Sequence, residues 1–160
     1  MPDLAALNAL PPRDFEELLL RCCAAPGWAR QVTAGRPYES VAELIAAADA
    51  AWAARDPGDL DAAMAGHPRI GERRLSGWSA GEQARVGEDT EALAALADGN
   101  AMYEQRFGHV FLICATGRGP AEILAELNRR MSHAPATERE VSAAEIGKIN
   151  ALRLRKLTTA

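Results

Sequence analysis

Residues 66–83 read GHPRIGERRLSGWSAGEQ and crowd His67, Arg69, Glu72, Ser79, Glu82 and Gln83 into one connection. Pro68 fixes its own φ and disfavours helical geometry for His67, so the imidazole stands on a stiff loop. An imidazole held there can donate or accept a proton near neutral pH. The same histidine could instead bond the backbone at a helix end. Ser79-x-x-Glu82 also has two readings. It is a capping box if a helix starts at Ser79, or a hydroxyl and a carboxylate turned towards a ligand. Spacing alone does not choose between them.

Other chemistry finds less support. His-Glu-x-x-His is absent, and His67, His109 and His133 lie far apart, so no metal site is expected. Gly117-Arg118-Gly119-Pro120 lacks the lysine and the length of a phosphate loop and reads as a turn. No cofactor motif is present. The cysteines, Cys22, Cys23 and Cys114, are odd in number and two are adjacent. That fits buried free thiols in a reducing cytoplasm better than a secreted disulfide framework. A formal net charge of −4 argues against nucleic acid as a partner and requires a local cationic site for any anionic ligand. No window approaches the roughly 20 apolar residues of a membrane span. MPDLAALNALPPRDF lacks the basic start and apolar run of a signal peptide, and KLTTA is not a peroxisomal tripeptide. Most of the basic clusters Arg129-Arg130 and Arg153–Lys156 read as solvated helix surface.

The elements that must position these residues are helical. Phe15, Leu18, Leu19, Cys22 and Cys23 fall on one helix face, and the pattern stops near Pro26-Gly27. Ser40 and Glu43 form a capping-box pattern opening a helix with the stripe Val41, Leu44, Ile45, Ala48, Trp52, ended by Asp56-Pro57-Gly58. DLDAAMAG reads as a short turn into the polar connection. Ser79 opens a further helix. Leu93, Leu96, Asn100, Tyr103 and Phe107 keep helical spacing, with a break expected near Gly87, up to a stop at Gly108. Val110–Ala115 is short, apolar and rich in strand formers, either a buried strand or an extended buried segment. Pro120 suits the first turn of a helix carrying Ile123, Leu124, Leu127 and Met131. Thr137 with Glu140 caps a final helix through Val141, Ile149 and Leu152. At 160 residues, the expectation is one domain over 1–160, an all-α helical bundle with a short extended apolar segment near 110–115.

Four motifs then stand in order: His67-Pro68-Arg69-Ile70-Gly71; Ser79 to Gln83; Asn-x-x-Tyr-x-x-Arg-Phe-Gly at Asn100 to Gly108, running into Val110–Cys114; and Ile-x-x-Leu-Arg-Leu at Ile149 to Leu154. Together they resemble the OHCU decarboxylases of uric acid degradation over essentially the whole chain. The resemblance implies cofactor-independent decarboxylation of 2-oxo-4-hydroxy-4-carboxy-5-ureidoimidazoline to (S)-allantoin in the cytoplasm, by a homodimer that needs no metal. It implies His67 as proton donor, with Glu82 and Arg153 also catalytic. Pro68, Ser79, Gln83 and Phe111, Leu112, Ile113, Cys114 and Ala115 would contact the anionic ureido-imidazoline substrate. Val110, where many members have proline, and the extra arginines Arg69, Arg73 and Arg74 depart from the pattern. The residues by themselves also allow a helical ligand-binding module, or another small-molecule lyase or hydrolase built on the same constellation.

Overall fold

The computed structural model describes residues 3–71, 81–84 and 90–159. Ser79, Arg73, Arg74 and Gly87 lie outside the described residues. The regular elements are α1 (Leu4–Ala9), α2 (Pro12–Cys22), α3 (Pro26–Ala34), α4 (Val41–Ala53), α5 (Pro57–Gly66), α6 (Thr90–Phe107), α7 (Pro120–Arg130) and α8 (Pro135–Thr158). Among the described residues there is no strand, and the fold is all-α. No helix among them is long and apolar enough to cross a membrane. The contacts divide the chain into two compact units, Met1–Gly66 with Gly147–Ala160, and His67–Ile146.

In the first unit, α3 packs against α2, α4 and α5. Trp28 is its buried anchor, donating its indole N–H to the Ala48 carbonyl at 3.0 Å. The N-terminus of α3 is capped from α5. The buried Asp59 carboxylate accepts the N–H groups of Gly27 (3.1 Å) and Trp28 (3.0 Å), an acceptor placed where a helix start presents unpaired donors. A Cβ on Gly27 would sit 2.4 Å from Asp59 Oδ2, so only glycine lets the carboxylate approach. Pro26-Gly27 therefore begins a helix where the sequence pattern suggested only a stop. DLDAAMAG is likewise helical, within α5, where a turn was expected. At α4, Ser40 Oγ accepts the Glu43 N–H as a capping box requires, while Glu43 Oε2 reaches the Glu39 N–H, one residue before the cap.

Cys22 and Cys23 are free and buried, and Cys114 is free and half-buried. Burial lifts the Cys22 thiol to about 12 and the Cys23 thiol to about 11. Both are protonated at neutral pH and serve as small apolar filling rather than nucleophiles.

The second unit has a core of Ile70, Leu96, Tyr103, Phe111, Ile113, Ile123 and Leu127, with Ala115. It draws on the loop after α5, on α6, on α7 and on the 111–115 segment. α6 ends at Phe107, before Gly108, and Pro120 opens α7, both as expected. The last helix starts at Pro135, so Thr137 lies inside it and is not its cap.

Candidate active site

The His67 loop is tied down at three consecutive residues. Arg69 Nε pairs with Glu104 Oε1 at 2.7 Å. The Ile70 carbonyl accepts from Asn100 Nδ2 at 2.9 Å, and its side chain is buried in the core. The Gly71 N–H donates to Gln83 Oε1 at 2.8 Å. Gly71 has φ +86°, a left-handed conformation that L side chains rarely adopt. A Cβ there would also press Leu93 Cδ2 at 3.2 Å. Gly71→Ala should therefore lower stability by about 1–2 kcal/mol, read as a reduced denaturant midpoint with unchanged slope; an unchanged midpoint would contradict this backbone assignment.

These ties explain why Asn-x-x-Tyr-x-x-Arg-Phe-Gly has its spacing. On α6, Asn100 holds the loop, and Tyr103, 0% exposed, stands in the core. Arg106 donates to the His133 carbonyl at 2.9 Å. Phe107 packs its ring 4.7 Å from that of Tyr103.

His67 and Pro68 are half-buried, and Glu82 and Gln83 are buried. Gln83 was expected to face a ligand. Its oxygen accepts from the Gly71 N–H, and its amide NH₂ is a donor it can offer a substrate. An open cleft of about 350 Å³ borders the loop, walled by Arg69, Gly71, Leu93, Ala97, Asn100 and Glu104. Its walls do not include His67, Glu82 or the 111–115 segment, so it is not where these groups would act.

Phe111, Leu112, Ile113 and Ala115 are buried, and Cys114 is half-buried. The segment is neither helix nor strand, so side chains satisfy several of its backbone groups. Arg130 Nη1 donates to the Leu112 carbonyl at 2.7 Å. The Cys114 N–H donates to Glu145 Oε1 at 3.3 Å, and the Cys114 carbonyl accepts from Arg118 Nε at 3.1 Å.

Arg130 is the main residue that sequence reasoning missed. It was grouped with solvated surface, yet it is 0% exposed, as is its partner Glu138. Arg130 Nε bonds Glu138 Oε1 at 2.7 Å, and Tyr103 donates its hydroxyl to the same oxygen. His133 Nδ1 lies 2.9 Å from Glu138 Oε2. Burial alone would raise the Glu138 carboxyl, but hydrogen bonds from Arg130 and Tyr103 and the Arg130 charge outweigh it and hold it below the usual carboxylate range. Burial, reinforced by the bond to Glu138, pushes the Tyr103 hydroxyl upward. A signal existed: Ile123, Leu127 and Arg130 share one helical stripe, and Glu138, Ser142 and Glu145 repeat that spacing on α8.

Arg153 belongs to the first unit. It is 7% exposed, one helical turn beyond buried Ile149, and its Nη1 donates to the Cys22 carbonyl at 2.9 Å. The adjoining Arg155 and Lys156 are exposed, as expected.

Residues 8–155 match the family model described as OHCU decarboxylase. This chain belongs to the OHCU decarboxylase family. It is 30% identical over 168 residues to the 2-oxo-4-hydroxy-4-carboxy-5-ureidoimidazoline decarboxylase of Amia calva, covering 97% of this chain and 94% of that protein. It is 33% identical over 145 residues to the uric acid degradation bifunctional protein TTL of Arabidopsis thaliana, covering 85% of this chain but only 45% of that longer protein. A crystal structure of OHCU decarboxylase in the presence of (S)-allantoin superposes with a TM-score of 0.80 at 32% identity, covering 91% of this chain and 99% of that one. Against the family pattern, Arg69 is one of the extra arginines, and it pairs at the surface with Glu104. Val110, the other departure that can be described, is half-buried ahead of Phe111.

Proposed function

We propose that this chain decarboxylates 2-oxo-4-hydroxy-4-carboxy-5-ureidoimidazoline to (S)-allantoin, without cofactor or metal, as one functional domain over 1–160. The observation that carries the reading is the family match over residues 8–155, which includes the loop bearing His67. In the reaction the bond from ring carbon to carboxylate breaks and CO₂ leaves. The electron pair passes into the adjacent ring C=N, whose nitrogen takes up a proton, leaving an enol; a proton delivered to the ureido-bearing carbon, as the enol hydroxyl gives up its own and becomes the ring carbonyl, completes the product. His67 delivers it from one side, which sets the configuration. Arg153 binds an anionic oxygen through its planar fork. Gln83 offers its NH₂ to a carbonyl of the substrate, and Glu82 orients His67 or accepts substrate N–H or O–H groups. Pro68, Ser79 and Phe111–Ala115 supply the remaining contacts. A homodimer in the cytoplasm completes the reading; both features are carried over from the resemblance.

The test is the decay of freshly generated substrate with chelator present. Catalysed loss, with CO₂ released faster than in the spontaneous reaction, is expected. Decay at the uncatalysed rate would overturn the activity, and loss of catalysis on chelation would overturn the metal-free mechanism.

Glu82 provides a sharper prediction. It is 8% exposed, and glutamine keeps its shape and capping ability while deleting the charge. Glu82→Gln should melt within a few degrees of wild type yet lose most decarboxylation. A lower melting temperature with normal turnover per folded molecule would reduce Glu82 to a helix cap.

A further inference from the structure

The buried Arg130–Glu138 pair stands apart from the residues assigned above. Removing a guanidinium and a carboxylate from water costs several kcal/mol per ion, and well-packed apolar residues often give as much stability. Stability alone is thus a weak reason for such a pair. Its geometry supplies another. Arg130 grips two consecutive residues of the apolar segment: the Leu112 carbonyl through Nη1 at 2.7 Å, and the Phe111 ring through its guanidinium carbon, 4.5 Å above the centroid. Glu138 and Ser142 hold that guanidinium in place, Ser142 Oγ lying 3.3 Å from Nη2. The Tyr103 hydroxyl and the His133 ring occupy the Glu138 carboxylate from other directions. Further along, Glu145 engages the Cys114 N–H.

We propose that Arg130 is a positioning residue for the decarboxylation: locked by Glu138, it sets the backbone and ring of Phe111-Leu112, and through them the contacts that the segment presents to the substrate. This rests on the reading of Phe111–Ala115 as substrate-lining. A sheet would fix such a segment by regular pairing; here a fork of N–H donors does so, and lysine cannot hold Glu138, Ser142 and the Leu112 carbonyl with one compact ammonium. A displacement of about 1 Å in a lining group can cost on the order of 10²-fold.

The experiment compares Arg130→Lys with wild type and with Val32→Ala, a core truncation in the first unit that lowers stability by another route. Rates are normalised to folded protein. Arg130→Lys is expected to reduce kcat/KM about 10–100-fold, mainly through KM, and to lower the enantiomeric purity of the product. Val32→Ala should melt earlier with KM and purity unchanged. Should Arg130→Lys not fold, Glu138→Gln carries the same expectation, since it keeps volume and an acceptor but removes the charge that locks the guanidinium. Unchanged KM and purity in a folded variant would overturn the positioning role while leaving the activity intact. An inactive wild type would overturn the activity, and this role with it. Failure of both variants to fold would assign the pair to stability alone and overturn the proposal.

Discussion

His67→Asn is expected to lower turnover by about 10²–10⁴-fold, the range for losing a positioned general acid, while the protein remains folded. Asparagine is polar and of similar reach, but it has no group that titrates near neutrality. The loop keeps its ties through Arg69, Ile70 and Gly71, so the backbone that carries residue 67 stays in place. His67 is half-buried rather than part of the core cluster, and little packing is lost. The decisive comparison is kcat per folded molecule. A variant with near wild-type kcat would remove His67 from the chemistry, and a variant that unfolds would make the histidine structural.

Arg153→Lys carries the second large effect. The guanidinium donates to the Cys22 carbonyl, and the proposed role also gives it an anionic oxygen of the substrate. Lysine keeps the charge but cannot serve both in one plane. A hydrogen bond to a charged group is worth about 1.5–3 kcal/mol, so KM should rise roughly 10–100-fold. Stability should fall by about 1 kcal/mol as the Cys22 carbonyl loses its donor. A raised KM separates a binding role from a purely structural one. Loss of stability with KM unchanged would leave Arg153 as a brace for α2 alone.

The helical class was legible because the apolar stripes are strong. Phe15, Leu19 and Cys22 are buried on α2, and Leu44, Ala48 and Trp52 on α4, in the order their spacing suggested. What was misread concerns proline. Pro12, Pro26, Pro57, Pro120 and Pro135 each begin a helix, because the first helical position needs no N–H and proline's φ is already helical. Reading Pro26 and Pro57 as endings hid α3 and α5. Reading Thr137 as a cap started α8 three residues late, at Glu138 instead of Pro135. α1, six residues long, offered too short a pattern to register.

The site was legible in part for a similar reason. Pro68 signals a stiff loop, and the four-residue spacing of Arg153 from apolar Ile149 is compatible with its inward turn. The engagement of Gln83 by Gly71 was not legible, and although Arg130 shares a stripe with Ile123 and Leu127, its partner Leu112, distant in sequence, was not. The segment 111–115 has the composition of a strand but belongs to no strand or helix. That its carbonyls are held by arginines rather than by a neighbouring strand is a tertiary fact that periodicity does not encode.

The most direct measurement is circular dichroism of the product formed when this protein meets freshly generated 2-oxo-4-hydroxy-4-carboxy-5-ureidoimidazoline. A proton delivered from one face by His67 should give a growing signal of (S)-allantoin, faster than spontaneous decay and undiminished by chelator. A flat trace as the intermediate disappears, signifying racemic allantoin, would contradict the account.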